Sequence, residues 1–135
     1  NTQGAPGQGF DKSFRREIEE ILPGATWSHL SNEHSIFRSF FLLTSEKALG
    51  RLASRPFIEG ISLNDSTPLI YSMNDLGGAL ARDPFGNWEY DCIPGGEKQR
   101  SLALRFTVNT AMYALTGNYK KDQIHVREIL RRRHR

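Results

Sequence analysis

Cys92, His125 and Glu128 follow one another in the order of a nucleophile, a base and an orienting carboxylate, the three groups that covalent acyl transfer employs. The surroundings of Cys92 argue against that use. It stands several residues ahead of a helix, without the tight strand-to-helix elbow that presents a nucleophile, and a lone cysteine usually packs as a small apolar residue. His34 is the other residue on which a hydrolytic reading could rest, although its place at the head of HSIFRSFFLL suits a capping or hydrogen-bonded histidine better. His29, His34 and His125 are too scattered for a metal signature, and no metal is expected. A single cysteine excludes an internal disulfide and a cysteine-based zinc site, and leaves the compartment open.

Binding is the second chemistry to consider. Asn74 and Asp75, with Gly77 and Gly78 behind them, follow an apolar run, and in open α/β sheets ligands collect at the carboxyl ends of strands. The competing reading of the pair is an Asx turn or helix cap. The amides of Gly95 and Gly96 open a helix and could meet an anion, but Glu97 already places negative charge there. Arg105 and Asn109 are spaced i, i+4 within an apolar arc, so they share one strip. Either they satisfy each other's surroundings, Arg105 on a carboxylate and Asn109 on a loop carbonyl, or the strip lines a polar pocket. The loop GAPGQG lacks the Lys-Ser/Thr of a phosphate-binding loop and the strand of a dinucleotide fingerprint. No cofactor is expected.

These residues hang on a helix predicted from Glu97 to Thr116, opened by Pro94-Gly95-Gly96 and closed by Gly117 as a left-handed cap. Its 20 residues would span roughly 30 Å. Leu104, Val108, Met112 and Leu115 extend the arc begun by Leu102, Phe106 and Tyr113, and most of the rest is small, so the helix is predicted to be buried on both sides. An amphipathic helix is predicted over Lys12 to Leu22, capped by Asp11 and stopped by Pro23-Gly24. Trp27 to Asn32 reads as an irregular connector, Phe40 to Leu43 as a strand, and Ser45 to Ser54 as a turn or loop. Phe57 to Leu63 and Pro68 to Ser72, joined by Asn64-Asp65-Ser66, form the clearest hairpin signal. Arg82 to Cys92 is an excursion carrying Phe85, Trp88 and Tyr90, and Lys121 to Arg133 reads as a short extended piece followed by a helix.

This order predicts an α/β layered fold in which residues 1–135 form a single domain. A helix covered on both sides needs more sheet than these strands supply, so the chain is expected to hold only part of its core. A hydrophobic content of 38% with 24% charged residues is globular, and no apolar run is long enough to cross a bilayer. Residues 127–135 hold five arginines against one glutamate, a net +4 within a chain total of +3, so the remaining residues sum to −1. Basicity is therefore a tail, which reads as a solvated helix end, and no nucleic-acid partner is expected. The chain starts at Asn1 without methionine or signal sequence, which reads as a processed or truncated product.

NTQGAPGQGFDKSFRREIEEILPG, HSIFRSFFLL, IYSMNDLGGA, PGGEKQRSLALRFTVNTAMYALTGNYK and DQIHVREILRRR together resemble the C-terminal half of a bacterial family, domain of unknown function DUF4159. Members commonly have His-Pro where HSIF stands, so Ser35 departs from the pattern and would loosen the turn after His34. The resemblance implies a flavodoxin-like three-layer fold of the trehalose-utilisation-like and class I glutamine-amidotransferase-like group, whose first strands precede the NTQG loop and are missing here. It implies no retained nucleophile. Relatives with membrane segments or export signals, found alongside MoxR-type ATPases and von Willebrand factor A-type proteins, imply a periplasmic or envelope location and a protein partner. The expectation is a noncatalytic binding or interaction module with its ligand near Asn74, Asp75 and the Gly95-Gly96 turn. The alternative is a hydrolase or amidotransferase-like enzyme at the carboxyl edge of the sheet, using Cys92 or His34.

Overall fold

The computed structural model describes residues 7–45 and 49–133, without the side chains of 117–130 and 133. It is a mixed α/β fold with a three-stranded antiparallel sheet. Helix α1 runs Gly9–Ile21. Asp11 does not cap it from outside, as its side chain would suggest. It sits in the first turn and takes the Gly7 amide at 2.6 Å.

Strands β1 (Trp27–His29), β2 (Glu59–Leu63) and β3 (Ser66–Tyr71) lie in that order. The expected hairpin is present, with Leu63 opposite Ser66 and Asn64-Asp65 between them. Asn64 has φ 55°, a left-handed conformation that Asn tolerates better than most residues and that tight hairpins need. Pro68, which has no amide to give, falls on the edge strand.

The stretch expected to be a connector is instead strand β1, because Trp27 pairs with Ile61 and its indole packs edge-on against Phe14 and Tyr71, at 6.2 and 5.6 Å. Tertiary pairing makes this strand, which is too short to announce itself by alternation. A polar cross-link reinforces the same contact. Arg15 donates to Asp11 at 2.8 Å, pairs with Glu59, and lies 4.6 Å over the Trp27 ring. The Tyr71 hydroxyl donates to Asp11 at 2.9 Å. Burial pushes the Asp11 carboxyl up, but the Gly7, Arg15 and Tyr71 hydrogen bonds outweigh it and hold the group below the usual carboxylate value. Burial and that same carboxylate raise Tyr71.

Phe40 to Leu43 does not form a strand. Its alternation is real, with Phe40 and Leu42 exposed and Leu43 buried, but the backbone partner is a side chain. Phe41 donates its amide to Asn109 Oδ1 at 2.8 Å and accepts from Asn109 Nδ2 at 2.8 Å. A 3-10 turn at Ser35–Phe37 precedes it, burying Ile36 and Phe37 with Leu30, Leu43, Ile58 and Phe106.

Helix α2 spans Leu76–Leu80, and α3 spans Gly96–Arg133. Two expectations about α3 fail. The helix passes straight through Gly117, since one interior glycine costs only about 1 kcal/mol and no proline follows to stop it, so residues from Lys121 continue the helix with no extended piece. Nor is α3 buried on both sides. Gln99, Arg100, Ala103, Phe106 and Asn109 are buried, whereas Leu104, Val108 and Leu115 are 39%, 41% and 66% exposed. The helix lays one face on the 3-10 turn and α2 and turns the other to solvent, so it is not wrapped by β-structure in this chain. No helix among the described residues is long and apolar enough to cross a membrane.

Candidate functional site

The 3-10 turn, the β2–β3 hairpin end and the segment of α3 around Tyr113 enclose an open cleft of about 880 Å³. The hydrogen bonds at its floor have a definite polarity, which starts at His34. This residue caps the 3-10 turn, its Nδ1 accepting from the Ile36 amide at 3.1 Å. An amide can only donate, so Nδ1 carries no hydrogen and Nε2 does. Nε2 therefore donates to Thr67 Oγ1, 2.8 Å away. Thr67 is 5% exposed, and a buried hydroxyl hydrogen needs an acceptor. Ser62 Oγ, at 2.8 Å, provides it. Ser62 is exposed, and its own hydrogen is left to point into the cleft.

Tyr113 completes the floor. Its hydroxyl accepts from the Thr67 amide at 2.9 Å, so the phenolic hydrogen is also available to a ligand. The His34 and Tyr113 rings lie 5.3 Å apart. Arg38, Glu33 and Asp65 stand at the rim, and all three are exposed. The cleft thus offers two oriented hydroxyl donors and a guanidinium to a ligand's acceptors, with two carboxylates for its donors. His34 is not placed to act as a general base here. Both His34 nitrogens are engaged, the ring donates toward the hydroxyls instead of taking their protons, and burial pushes its pKa below the ordinary value.

Of the candidate catalytic and binding residues named from sequence whose side chains are described, His34 alone lines this cleft. Asn74 is fully buried and holds the chain at Arg55, accepting from its amide at 2.7 Å and donating to its carbonyl at 2.8 Å. The neighbouring Gly50 must be glycine, because a Cβ there would stand 2.0 Å from the Asn74 carbonyl oxygen. Asp75, at φ 54°, caps α2 through the Gly78 amide at 3.0 Å and pairs with Arg51 at 2.7 Å. The amides expected to meet an anion are taken: Gly95 donates to Gln99 Oε1 and Gly96 to the Cys92 carbonyl, both at 2.9 Å. Arg105 is exposed, its guanidinium 5.3 Å from the Phe41 ring. Asn109 is fully buried and ties the loop after the 3-10 turn. The His125 side chain lies outside the described residues.

Cys92 is buried against Ala79 and Ala103. Burial pushes its thiol up, against a smaller downward pull from Arg100, which is the wrong direction for a nucleophile. Native protein is accordingly expected to react with iodoacetamide at pH 7.5 at least about tenfold more slowly than urea-unfolded protein. Equal rates would show the thiol to be accessible and ionisable, and would return it to consideration.

Ser62, Thr67 and Tyr113 were not legible as a site, since Thr67 lies 33 residues from His34 and 46 from Tyr113. The polar tract at the hairpin end, Asn64 to Thr67, was the one local signal. Among the described residues, no three His, Cys, Asp or Glu side chains gather as metal ligands would. No curated protein matches this chain. A family model described as Domain of unknown function (DUF4159) matches residues 2–115 of the 135, and the chain belongs to that family.

Proposed function

We propose that this chain is a noncatalytic binding or interaction module that holds a polar ligand in the cleft between the 3-10 turn, the β2–β3 hairpin end and Tyr113. The observation that carries this reading is the outward polarity of the floor, where the chain from His34 through Thr67 leaves Ser62 and Tyr113 as donors. A ligand presenting acceptors is what such a floor selects, because a donor facing a donor loses the bond and leaves the group unpaired. Asn74, Asp75 and the Gly95-Gly96 turn then act as the frame, and the cleft replaces them as the ligand's place. The finer fold reading belongs to the same proposal: a flavodoxin-like, trehalose-utilisation-like layering completed by strands outside these residues, in an envelope-associated bacterial protein with a MoxR-type or von Willebrand factor A-type partner. Its supports are the family resemblance and the apolar Leu104, Val108 and Leu115 that α3 leaves at the surface.

A thermal-shift screen of a polar metabolite library at pH 7.5, repeated with Ser62→Ala and Arg38→Ala, tests the cleft. Arg38 is exposed, so Arg38→Ala should melt with the parent, whereas Ser62→Ala takes the acceptor from the buried Thr67 hydroxyl and should melt a few degrees lower while remaining folded. Hits should bind Ser62→Ala about five- to tenfold more weakly, the loss of roughly one net hydrogen bond. Hits indifferent to both substitutions, or no hits, would overturn the reading.

A further inference from the structure

His34 touches each of the elements that form the cleft: Nδ1 holds the Ile36 amide of its own 3-10 turn, Nε2 holds Thr67 of β3, and the ring faces Tyr113 of α3. We propose that His34 is an acid-sensitive latch on this cleft, a second proton on its ring releasing the turn that carries Ser35, Arg38 and Ser39 in the cleft wall. The proposal rests on the cleft being the binding site. A proton on Nδ1 would put its N–H against the Ile36 N–H across the 3.1 Å now spanned by a hydrogen bond. Two donors cannot bond, so the ring or the turn must move. The Nε2 contact survives the change, which confines the disruption to the turn.

Burial sets the ring's working range. The charged groups that share the cleft with it are Glu33 and Arg38 on its own segment and Asp65 on the hairpin, with the Tyr113 ring on α3 beside it, and Thr67 accepts from the ring in either state. Burial makes the charged ring costly and holds its pKa below the ordinary 6.5. The neutral ring is therefore the folded form at pH 7. Because the unfolded chain binds the proton more readily, the stability from the neutral latch is complete above about pH 6.5 and is lost as pH falls through the lower, folded value.

Amide spectra recorded from pH 8 to pH 5 on the isotopically labelled protein test the latch, with His34→Asn as control. Asparagine keeps an oxygen within reach of the Ile36 amide, as a normal cap does, and cannot titrate. In the parent, the Ile36, Arg38 and Ser39 amide signals should move together, with the same midpoint as the His34 ring and below pH 6.5. Protection of the Ile36 amide should fall about five- to tenfold across that step. In His34→Asn these signals should stay still. An Ile36 amide that keeps its protection while the ring titrates, or the same response in His34→Asn, would overturn the latch. The Ser62→Ala screen at pH 7.5 is read with the ring neutral, so the cleft can stand if the latch falls.

Discussion

Replacing Asn109 with alanine is expected to destabilise the fold by about 3 kcal/mol, because its side chain ties α3 to the 3-10 turn and the loop behind it. The side chain spends three hydrogen bonds on the loop: Oδ1 accepts from Phe41 N at 2.8 Å, and Nδ2 donates to the carbonyls of Ile36 and Phe41 at 2.9 and 2.8 Å. Alanine leaves one donor and two acceptors without partners beside the buried Phe37 and Phe106, at about 1 kcal/mol each. In a chain of this size that corresponds to roughly 10 °C in melting temperature. Asn109→Asp separates the hydrogen bonds from the shape. It keeps an acceptor for Phe41 N but turns a carboxylate oxygen toward two carbonyls, so at pH 7 it should be at least as damaging as alanine. Lowering the pH should rescue it in part, since a protonated carboxyl regains one donor. Urea unfolding with an unchanged slope reads the loss as stability. A shift below about 1 kcal/mol for alanine would show that water replaces the amide and that the loop is not held from α3.

The same residue shows what could and could not be read from the sequence. Elements defined by local chemistry were legible: α1 between its polar start and Pro23-Gly24, and the hairpin around Asn64-Asp65. Trp27 to His29 was not, because its strand exists only by pairing with β2, and Phe40 to Leu43 misled because alternation records which side chains are buried, not what the backbone bonds to. The expectation that α3 is buried on both sides fails for a related reason. Leu104, Val108 and Leu115 pulled the apparent apolar arc toward themselves, so Arg105 looked buried. Arg100 is the arginine in the core, five residues earlier and about 140° round the helix. A partner surface, not the periodicity, decides which of two comparable faces is covered. The cleft was harder still to read, since its floor is drawn from three distant segments whose only shared property is that each carries a hydroxyl or an imidazole.

Arg100 is the buried charge on the covered face of α3. The residue is 1% exposed, and its guanidinium donates to the Ala79 carbonyl at 2.7 Å and the Tyr90 carbonyl at 2.6 Å. Its one carboxylate partner among the described residues, Glu97 at 3.2 Å, is 74% exposed, so solvent screens that pair and the carbonyls carry most of the compensation. The Trp88 ring lies 4.3 Å away and takes the cation on its face. The side chain thereby ties the end of α2 and the whole 82–92 excursion to α3. Arg100→Met removes the cost of a buried charge together with its bonds, and two stranded carbonyls should leave a net loss of about 2–3 kcal/mol. Arg100→Lys should be no milder, because it keeps the charge in the core while one ammonium cannot reproduce a planar fork reaching two separate carbonyls. Trp88 reports the local effect once Trp27→Phe has made it the sole tryptophan: its emission should move to the red in both variants as the excursion loosens. Wild-type stability and unshifted emission in Arg100→Lys would mean that charge alone, not the fork, holds the excursion in place.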